Sequence, residues 1–267
     1  MTFIYVILGI AILLLIHHIL GKPIPFLRWS FIRLALGTKT LMKDWQVGDG
    51  REEACAKYVI EHAKAGDIRD AIRTIDEFAY KKSFLINVGD KKGAILDQVI
   101  QRTQPKRVME LGAYVGYSAL RMASLLPTEG HIYSIEFNPA NAKIARKIID
   151  HAGATDRITV IDGTIGDGGK TLSVLRDQHG FSPQCLDIVF LDHAKEAYLP
   201  DLQTILNSQW LHSGSVVVAD NVKFPGAPEY KAYMDQEQEK TWKTTAHDTY
   251  AEYQSVITDI VLESTLI

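Results

Sequence analysis

Asp192 and Asp220-Asn221 close two apolar runs, LDIVFLD (186–192) and SVVVAD (215–220). If those runs are neighbouring parallel strands, about 4.8 Å apart, the side chains that follow them converge. Two carboxylates and an amide oxygen are hard ligands that suit Mg²⁺, with water or substrate oxygens completing an octahedron. The same residues also make ordinary strand-end and helix caps. Lys195 lies three residues past Asp192, in LDHAKEAYLPD, and points back over the same mouth if a helix or turn begins there. A lysine near a cation, or one that is buried, can act as a base, although most lysines are simply solvated. His193 is a weaker candidate of the same stretch. Cys55 and Cys185 have no visible His partner and read as packing residues.

A second constellation follows VMEL (108–111). Glu110 to Gly116, ELGAYVG, places Gly112 and Gly116 at a turn where backbone can approach a ligand closely. The spacing is G-x-x-x-G. It lacks the middle glycine of G-x-G-x-x-G, which disfavours a pyrophosphate cradle and an NAD-dependent oxidoreductase. Glu136 ends HIYSIE (131–136), where a carboxylate can accept hydrogen bonds from two ribose hydroxyls. An adenosine ligand without phosphates fits this combination, and S-adenosylmethionine is the common one. A glycine turn with a purely structural role is the plain alternative.

The elements around these residues follow a pattern. Residues 51–103 read as helices, with mixed apolar and charged positions over 52–62 and 69–80. Strands are then expected at 108–111, 131–136, 158–162, 186–192 and 215–220, with helices over 118–126 and 139–151. Continuous β-branched runs between helices indicate a parallel sheet covered on both faces. Residues 241–267 read as a terminal strand pair, giving a doubly wound, mostly parallel seven-stranded α/β sheet. Ligands of such sheets bind beyond the carboxyl ends of the strands, where the acidic residues cluster.

The chain has 267 residues, 46% apolar and 23% charged, which excludes wholesale disorder. Two cysteines exclude a disulfide scaffold and a four-cysteine zinc site. A net charge of −3 gives no general footprint for nucleic acid. The charge is uneven, however. Residues 1–43 carry +5 and the remainder −8. Residues 3–20, FIYVILGIAILLLIHHIL, contain no charged side chain, and as a helix would span roughly 27 Å. With no basic n-region or small-residue cleavage site, a membrane anchor over 1–21 is favoured over a signal peptide or a buried helix. Lys22, Arg28, Arg33, Lys39 and Lys43 all follow it, which places the body in the cytoplasm. Residues 22–50 form a basic linker that either lies along an anionic surface or packs on the body. The body, 51–267, is long enough for one domain with one core.

The body resembles the catechol O-methyltransferase family, and the leader resembles that of its membrane-bound form. The resemblance rests on INVGDKKG (86–93), MELGAYVGYSA (109–119), IEFNP (135–139), VFLDHAKEAYLPD (189–201), VVVADNVKFPGAP (216–228) and YAEY (250–253). It implies an S-adenosylmethionine- and Mg²⁺-dependent methyl transfer to one hydroxyl of a catechol, by a monomeric domain. It also implies roles. The Val88 backbone, Glu110, Tyr114 and Ser118 would hold the cofactor's methionine part and Glu136 its ribose, with Gly112 and Asp192 also contacting the cofactor. Phe137 and the Gly163 to Gly166 loop, with Ile165, would meet the adenine. Asp192, Asp220 and Asn221 would bind Mg²⁺, and Lys195 would be the general base. Asn221 and Glu252 would meet the catechol hydroxyls, and Pro225 and Phe84 would wall the ring.

Four positions depart from the family's pattern: Phe84 stands for Trp, Ile86 for Met, Ala194 for Trp and Ile165 for Ser. These bear on cofactor affinity and substrate shape rather than on the reaction type. The transmembrane O-methyltransferases also have an apolar leader, but keep the metal and base positions less fully. The rival readings are a methyltransferase for larger phenols, such as caffeoyl esters, and a non-catalytic membrane adaptor.

Overall fold

The computed structural model describes residues 48–267, together with Gly9, Ile12 and Gln46. The expected anchor and nearly all of the basic linker fall outside the described residues. Among the described residues, no helix is long and apolar enough to cross a membrane.

Three helices come first: α1 (Arg51–His62), α2 (Ile68–Lys81) and α3 (Gly89–Thr103). Then strands and helices alternate through β1 (Arg107–Leu111), α4 (Tyr117–Ala123), β2 (His131–Glu136), α5 (Pro139–His151) and β3 (Ile158–Asp162). They continue with α6 (Lys170–His179), β4 (Leu186–Leu191), α7 (Tyr198–Asn207), β5 (Leu211–Ala219) and α8 (Pro228–Gln236). The chain ends with β6 (Trp242–Tyr250) and β7 (Thr258–Leu266). Helix starts follow local chemistry. The Asp67 side chain accepts the Asp70 N–H ahead of α2, and Asn138 caps α5 with Pro139 behind it.

The sheet order is β3-β2-β1-β4-β5-β7-β6. The first five strands are parallel, and β7 runs antiparallel to both β5 and β6. The mixed seven-stranded sheet thus agrees with the sequence reading in strand number and class. The chain runs outward from β1 through β2 and β3, then returns to the other side of β1 for β4 and β5. The reversal opens a crevice between the carboxyl ends of β1 and β4, where doubly wound sheets hold ligands.

Details differ from the sequence expectation. β5 begins at Leu211, not at residue 215, and its pairing with β4 is irregular between Leu186 and Ile188. β4 and β5 each stop one residue before their aspartate, so Asp192 and Asp220 are loop residues. Three helices, α6, α7 and α8, had no counterpart in the hydropathy reading, because their apolar stripes are short.

Two cores sandwich the sheet. Val108, Ile132, Ile188, Val216 and Val261 face a core built with α1 to α5. Met109, Ile135, Val189, Val217 and Leu262 face the core shared with α6, α7 and α8. Strand side chains alternate with period two. Counting forward from the first set by twos reaches Glu110, Glu136, Asp192 and Asp220, and counting back from Val261 reaches Asp259. One pleat parity therefore sends five carboxylates toward the α1–α5 side.

Candidate active site at the β1, β4 and β5 mouths

Gly112 leaves β1 with φ 101°, and its N–H bonds to the Ile135 carbonyl at 2.9 Å. A Cβ here would collide with the Asp192 backbone carbonyl. The Asp192 N–H bonds to the Leu111 carbonyl at 2.9 Å, so the exits of β1 and β4 are joined directly. This close approach requires glycine at 112.

Glu136 is buried, and accepts the backbone N–H groups of Tyr114 and Asn138, both at 2.8 Å. Burial pushes its carboxyl above the usual range, and those hydrogen bonds oppose the shift. The Asn141 side chain and the Ala113 N–H also bond to it, so a ribose would share or displace these donors. Glu110 is fully buried, and one of its oxygens, Oε2, accepts the Ser134 hydroxyl. Its Oε1 has no hydrogen-bond partner. Burial pushes the carboxyl up to about 7, with Ser118 and Ser134 pulling against that. A buried carboxyl oxygen without a close partner is open to a hydrogen-bond donor or a cation from a ligand.

Of the other expected cofactor residues, Tyr114, Ser118 and Gly163 bond to this pair. Val88 is buried immediately before α3, and Ser118 is buried in the first turn of α4. Tyr114 sends its hydroxyl to Glu52 at 2.9 Å, so its backbone rather than its hydroxyl meets Glu136. Phe137 is 55% exposed just after β2, a ring free to cover a flat ligand. Gly163 follows β3 and bonds to the Glu136 carbonyl at 2.9 Å. Ile165 is buried in the α6–α8 core.

Lys195 opens a short 3-10 turn, Lys195–Ala197, that runs into α7. That turn brings its Nζ to 3.2 Å from Asp192 Oδ1 and 2.6 Å from the Tyr198 hydroxyl. Tyr198 is fully buried and donates to the Leu191 and Asp220 carbonyls, at 2.8 and 3.0 Å. A phenol tied to the ends of β4 and β5 thus seats the lysine. His193 packs on the Tyr198 ring with centroids 5.0 Å apart and bonds to Asp201 at 3.0 Å.

Asn221 has left-handed backbone (φ 56°), and both protons of its amide are engaged, by Glu252 at 2.8 Å and Asp259 at 3.0 Å. The amide oxygen is thereby turned away from those two carboxylates. Asp220 Oδ1 accepts the Asn221 N–H, and its fully buried Oδ2 faces Lys92. Lys92 approaches that Oδ2 to 2.7 Å as an ion pair. Lys92 also pairs with Glu252 and, at 3.3 Å, with Asp259. Burial works against its charge, but Asp220, Glu252, Asp192 and Asp259 outweigh burial and hold the ammonium above the lysine range. Burial pushes the carboxyls of Asp192 and Asp220 up, although Lys195 and Lys92 lie beside them. Phe84 is buried edge-on to Tyr253 at 6.3 Å, and Pro225 is exposed in the turn after β5.

Asp192, Lys195, Asp220, Asn221 and Glu252 therefore meet at one mouth. Sequence reasoning passed over Lys92, Asp259 and Tyr198. Asp259 was findable by pleat parity from Val261, and Tyr198 by its spacing of three from Lys195. Lys92 gave no such signal, because only the packing of α3 shows where it points. Cys55 is buried with its thiol pushed up by burial, and Cys185 is half-buried before β4, consistent with packing roles.

The O-methyltransferase family matches residues 63–256. This chain belongs to that family. A Mycobacterium tuberculosis protein named a probable O-methyltransferase is 54% identical over 86% of this chain and 98% of its own length. Mouse catechol O-methyltransferase is 35% identical over 93% of this chain and 89% of its own. The human transmembrane O-methyltransferase is 34% identical over 76% and 69% respectively. Among solved structures, a Bacillus cereus O-methyltransferase in complex with S-adenosylhomocysteine superposes with a TM-score of 0.57. It is 18% identical, over 89% of this chain and all of that one, and so shares the fold.

Proposed function

We propose that this O-methyltransferase moves the methyl group of S-adenosylmethionine to one hydroxyl of a catechol, with Mg²⁺ held at the β4 and β5 mouths. The single observation that carries the reading is the meeting of Asp192, Lys195, Asp220, Asn221 and Glu252 at one mouth beside the Gly112 turn.

The donor set fits a divalent cation. Asp192, half-buried, and Asp220, fully buried, are carboxylates that directly follow adjoining strands, and the Asn221 oxygen faces away from Glu252 and Asp259. Four carboxylates, with Glu252 and Asp259 included, stand against the two ammonium groups of Lys92 and Lys195. That leaves a formal deficit that a dication neutralises. Asp192, Asp220 and Asn221 would hold Mg²⁺, which supplies Lewis-acid character that eases the ionisation of a nearby hydroxyl.

The chain's own residues do the rest. Glu110 would pair with the cofactor's ammonium, and Glu136 would accept from its ribose hydroxyls. Lys195 takes the proton of the attacking hydroxyl at Nζ, and Glu252 accepts a hydrogen bond from its neighbour. Phe84 and Pro225 flank the ring. A phenolate attacking a sulfonium cancels charge in the transition state, so alignment and exclusion of water dominate the rate.

The anchor belongs to the same proposal. Residues 3–20 would hold the enzyme in a bilayer, with the body on the cytoplasmic side where the basic residues after the span direct it.

The test is methyl transfer from labelled S-adenosylmethionine to a simple catechol by the full chain in detergent, with Mg²⁺ and then with EDTA. Product that disappears with EDTA is expected. Cofactor binding without product would move the substrate to a larger phenol. Loss of both would favour the adaptor reading.

A further inference from the structure

Lys92 sits in the first turns of α3 with its side chain 1% exposed. Its ammonium meets three carboxylates from three other places in the chain: Asp220 after β5, Glu252 in the 251–257 loop, and Asp259 in β7. The Asn221 amide bridges the same Glu252 and Asp259 from the other side. A buried lysine is tolerated only when its charge is matched, and here one cation is shared among three anions. The loop that carries Glu252 joins β6 to β7. Its Gln254 oxygen accepts the Val256 and Ile257 N–H groups within the loop, which shapes the loop without fixing it to β5. Tyr253 ties the loop to Asp76 at 3.0 Å and Lys91 ties it to α3 through the Gln254 carbonyl, whereas its ties to the end of β5 come from Lys92 and Asn221.

We propose that Lys92 is a positioning residue with two effects. Its ammonium fixes Glu252 and the 251–257 loop against β5, and its charge restrains how tightly Asp192, Asp220 and Asn221 hold a divalent cation. The first effect stands on the contacts alone. The second rests on the functional reading above. A fixed positive charge 2.7 Å from a ligand carboxylate repels a dication strongly where water is excluded. Without it, four carboxylates would face one lysine, an environment that favours tight cation binding by charge alone.

The experiment uses the full chain in detergent, without cofactor or phenol, and Mn²⁺ as the probe, with free Mn²⁺ read by electron paramagnetic resonance. Amide hydrogen exchange of residues 251–257 is measured in parallel. Lys92→Met removes the cation. The double variant Lys92→Met with Asp259→Asn removes one charge of each sign. Asparagine at 259 can still accept the backbone bonds that Asp259 takes from Phe224 and Ile260. Lys92→Met should bind Mn²⁺ about tenfold or more tighter than the unaltered protein, and the double variant should return most of the way. In both variants the 251–257 amides should exchange about tenfold or more faster, with β1 and β4 unchanged.

Loop exchange at the unaltered rate in both variants would overturn the positioning role. Mn²⁺ affinity unchanged in Lys92→Met would overturn the charge role. If Lys92→Met does not fold, the double variant decides the loop result, and its Mn²⁺ affinity is compared with that of Asp259→Asn alone. Unaltered protein that ignores Mn²⁺ would count against the metal reading itself. The exchange comparison would still decide whether Lys92 fixes the loop, and a Lys92→Met protein that also ignored Mn²⁺ would end the charge role.

Discussion

Glu110 shows how much one buried side chain can govern. Its carboxyl is pushed up to about 7 by burial, and its Oε1 lacks a partner. A cofactor ammonium needs the ionised form. Below pH 7 the free protein holds a proton there that binding must expel, so affinity for S-adenosylmethionine should fall as pH is lowered, by up to about tenfold per unit. Calorimetric titration between pH 5.5 and 8.5 checks this, and Glu110→Gln should bind weakly with that slope gone. The stability of the unliganded protein moves the other way. A carboxyl whose folded pKa is raised favours the folded state while protonated. That contribution is lost as pH rises from about 4.5 to about 7. Lys195 is the other decisive residue. Lys195→Ala should lower kcat by roughly 100-fold or more if it takes the hydroxyl proton, within the usual range for a general base. Its cofactor affinity should stay near that of the unaltered protein. Turnover close to normal at saturating catechol would remove Lys195 from the chemistry.

At the scale of elements, the turn from β1 into α4 and the exit of β4 behave as one unit. Gly112 and Asp192 are packed backbone to backbone, so Gly112→Ala cannot be absorbed by a side-chain rotation. Positive φ at 112 adds to the steric cost. Gly112→Ala should lower the melting temperature by several degrees, in keeping with a loss of about 1–3 kcal/mol for strain at a special backbone position. It should also weaken cofactor binding more than Ala substitutions on the outer face of α5 do. Thermal melts with and without S-adenosylmethionine separate the two effects, because a ligand that still binds raises the melting temperature by mass action. The 3-10 turn at Lys195–Ala197 works similarly. It reverses the chain sharply enough that Tyr198, three residues on, can reach back to the carbonyls of Leu191 and Asp220.

For the molecule as a whole, charge is divided between a basic leader and an acidic body. If residues 3–20 span a bilayer, the full chain should stay with membranes through alkaline carbonate extraction, a treatment that releases proteins held by charge alone. In sealed vesicles with the cytoplasmic face outward, protease should digest the body without detergent. A body protected until detergent is added would reverse the orientation, and a chain released by carbonate would remove the span. The acidic body also places its carboxylates unevenly, since one pleat parity gathers Glu110, Glu136, Asp192, Asp220 and Asp259 toward the α1–α5 side of the sheet. Net charge gives no hint of that focus.

The α/β class, the order of the first five strands along the chain and the acidic residues behind them were legible because buried parallel strands are short continuous β-branched runs bounded by polar residues. VMEL, HIYSIE and LDIVFLD announce themselves in this way, and the residue after each run is fixed by counting. The limits of β5 were less legible, since Leu211 to Gly214 is polar and irregular and joins the strand only by pairing beside β4. The helices α6 to α8 were illegible because their apolar stripes are short and are completed by neighbours. Residue types and spacing thus determined the family resemblance, the residues that gather at the strand mouths and the local turns. Tertiary structure alone decided that Lys92 of α3 lies among the carboxylates of β5, the 251–257 loop and β7, more than 120 residues away in the chain. Such a contact depends on how a helix is rotated and seated on the sheet. That seating is set by the apolar packing of Leu96, Val99 and Ile100, and not by any pattern around Lys92 itself.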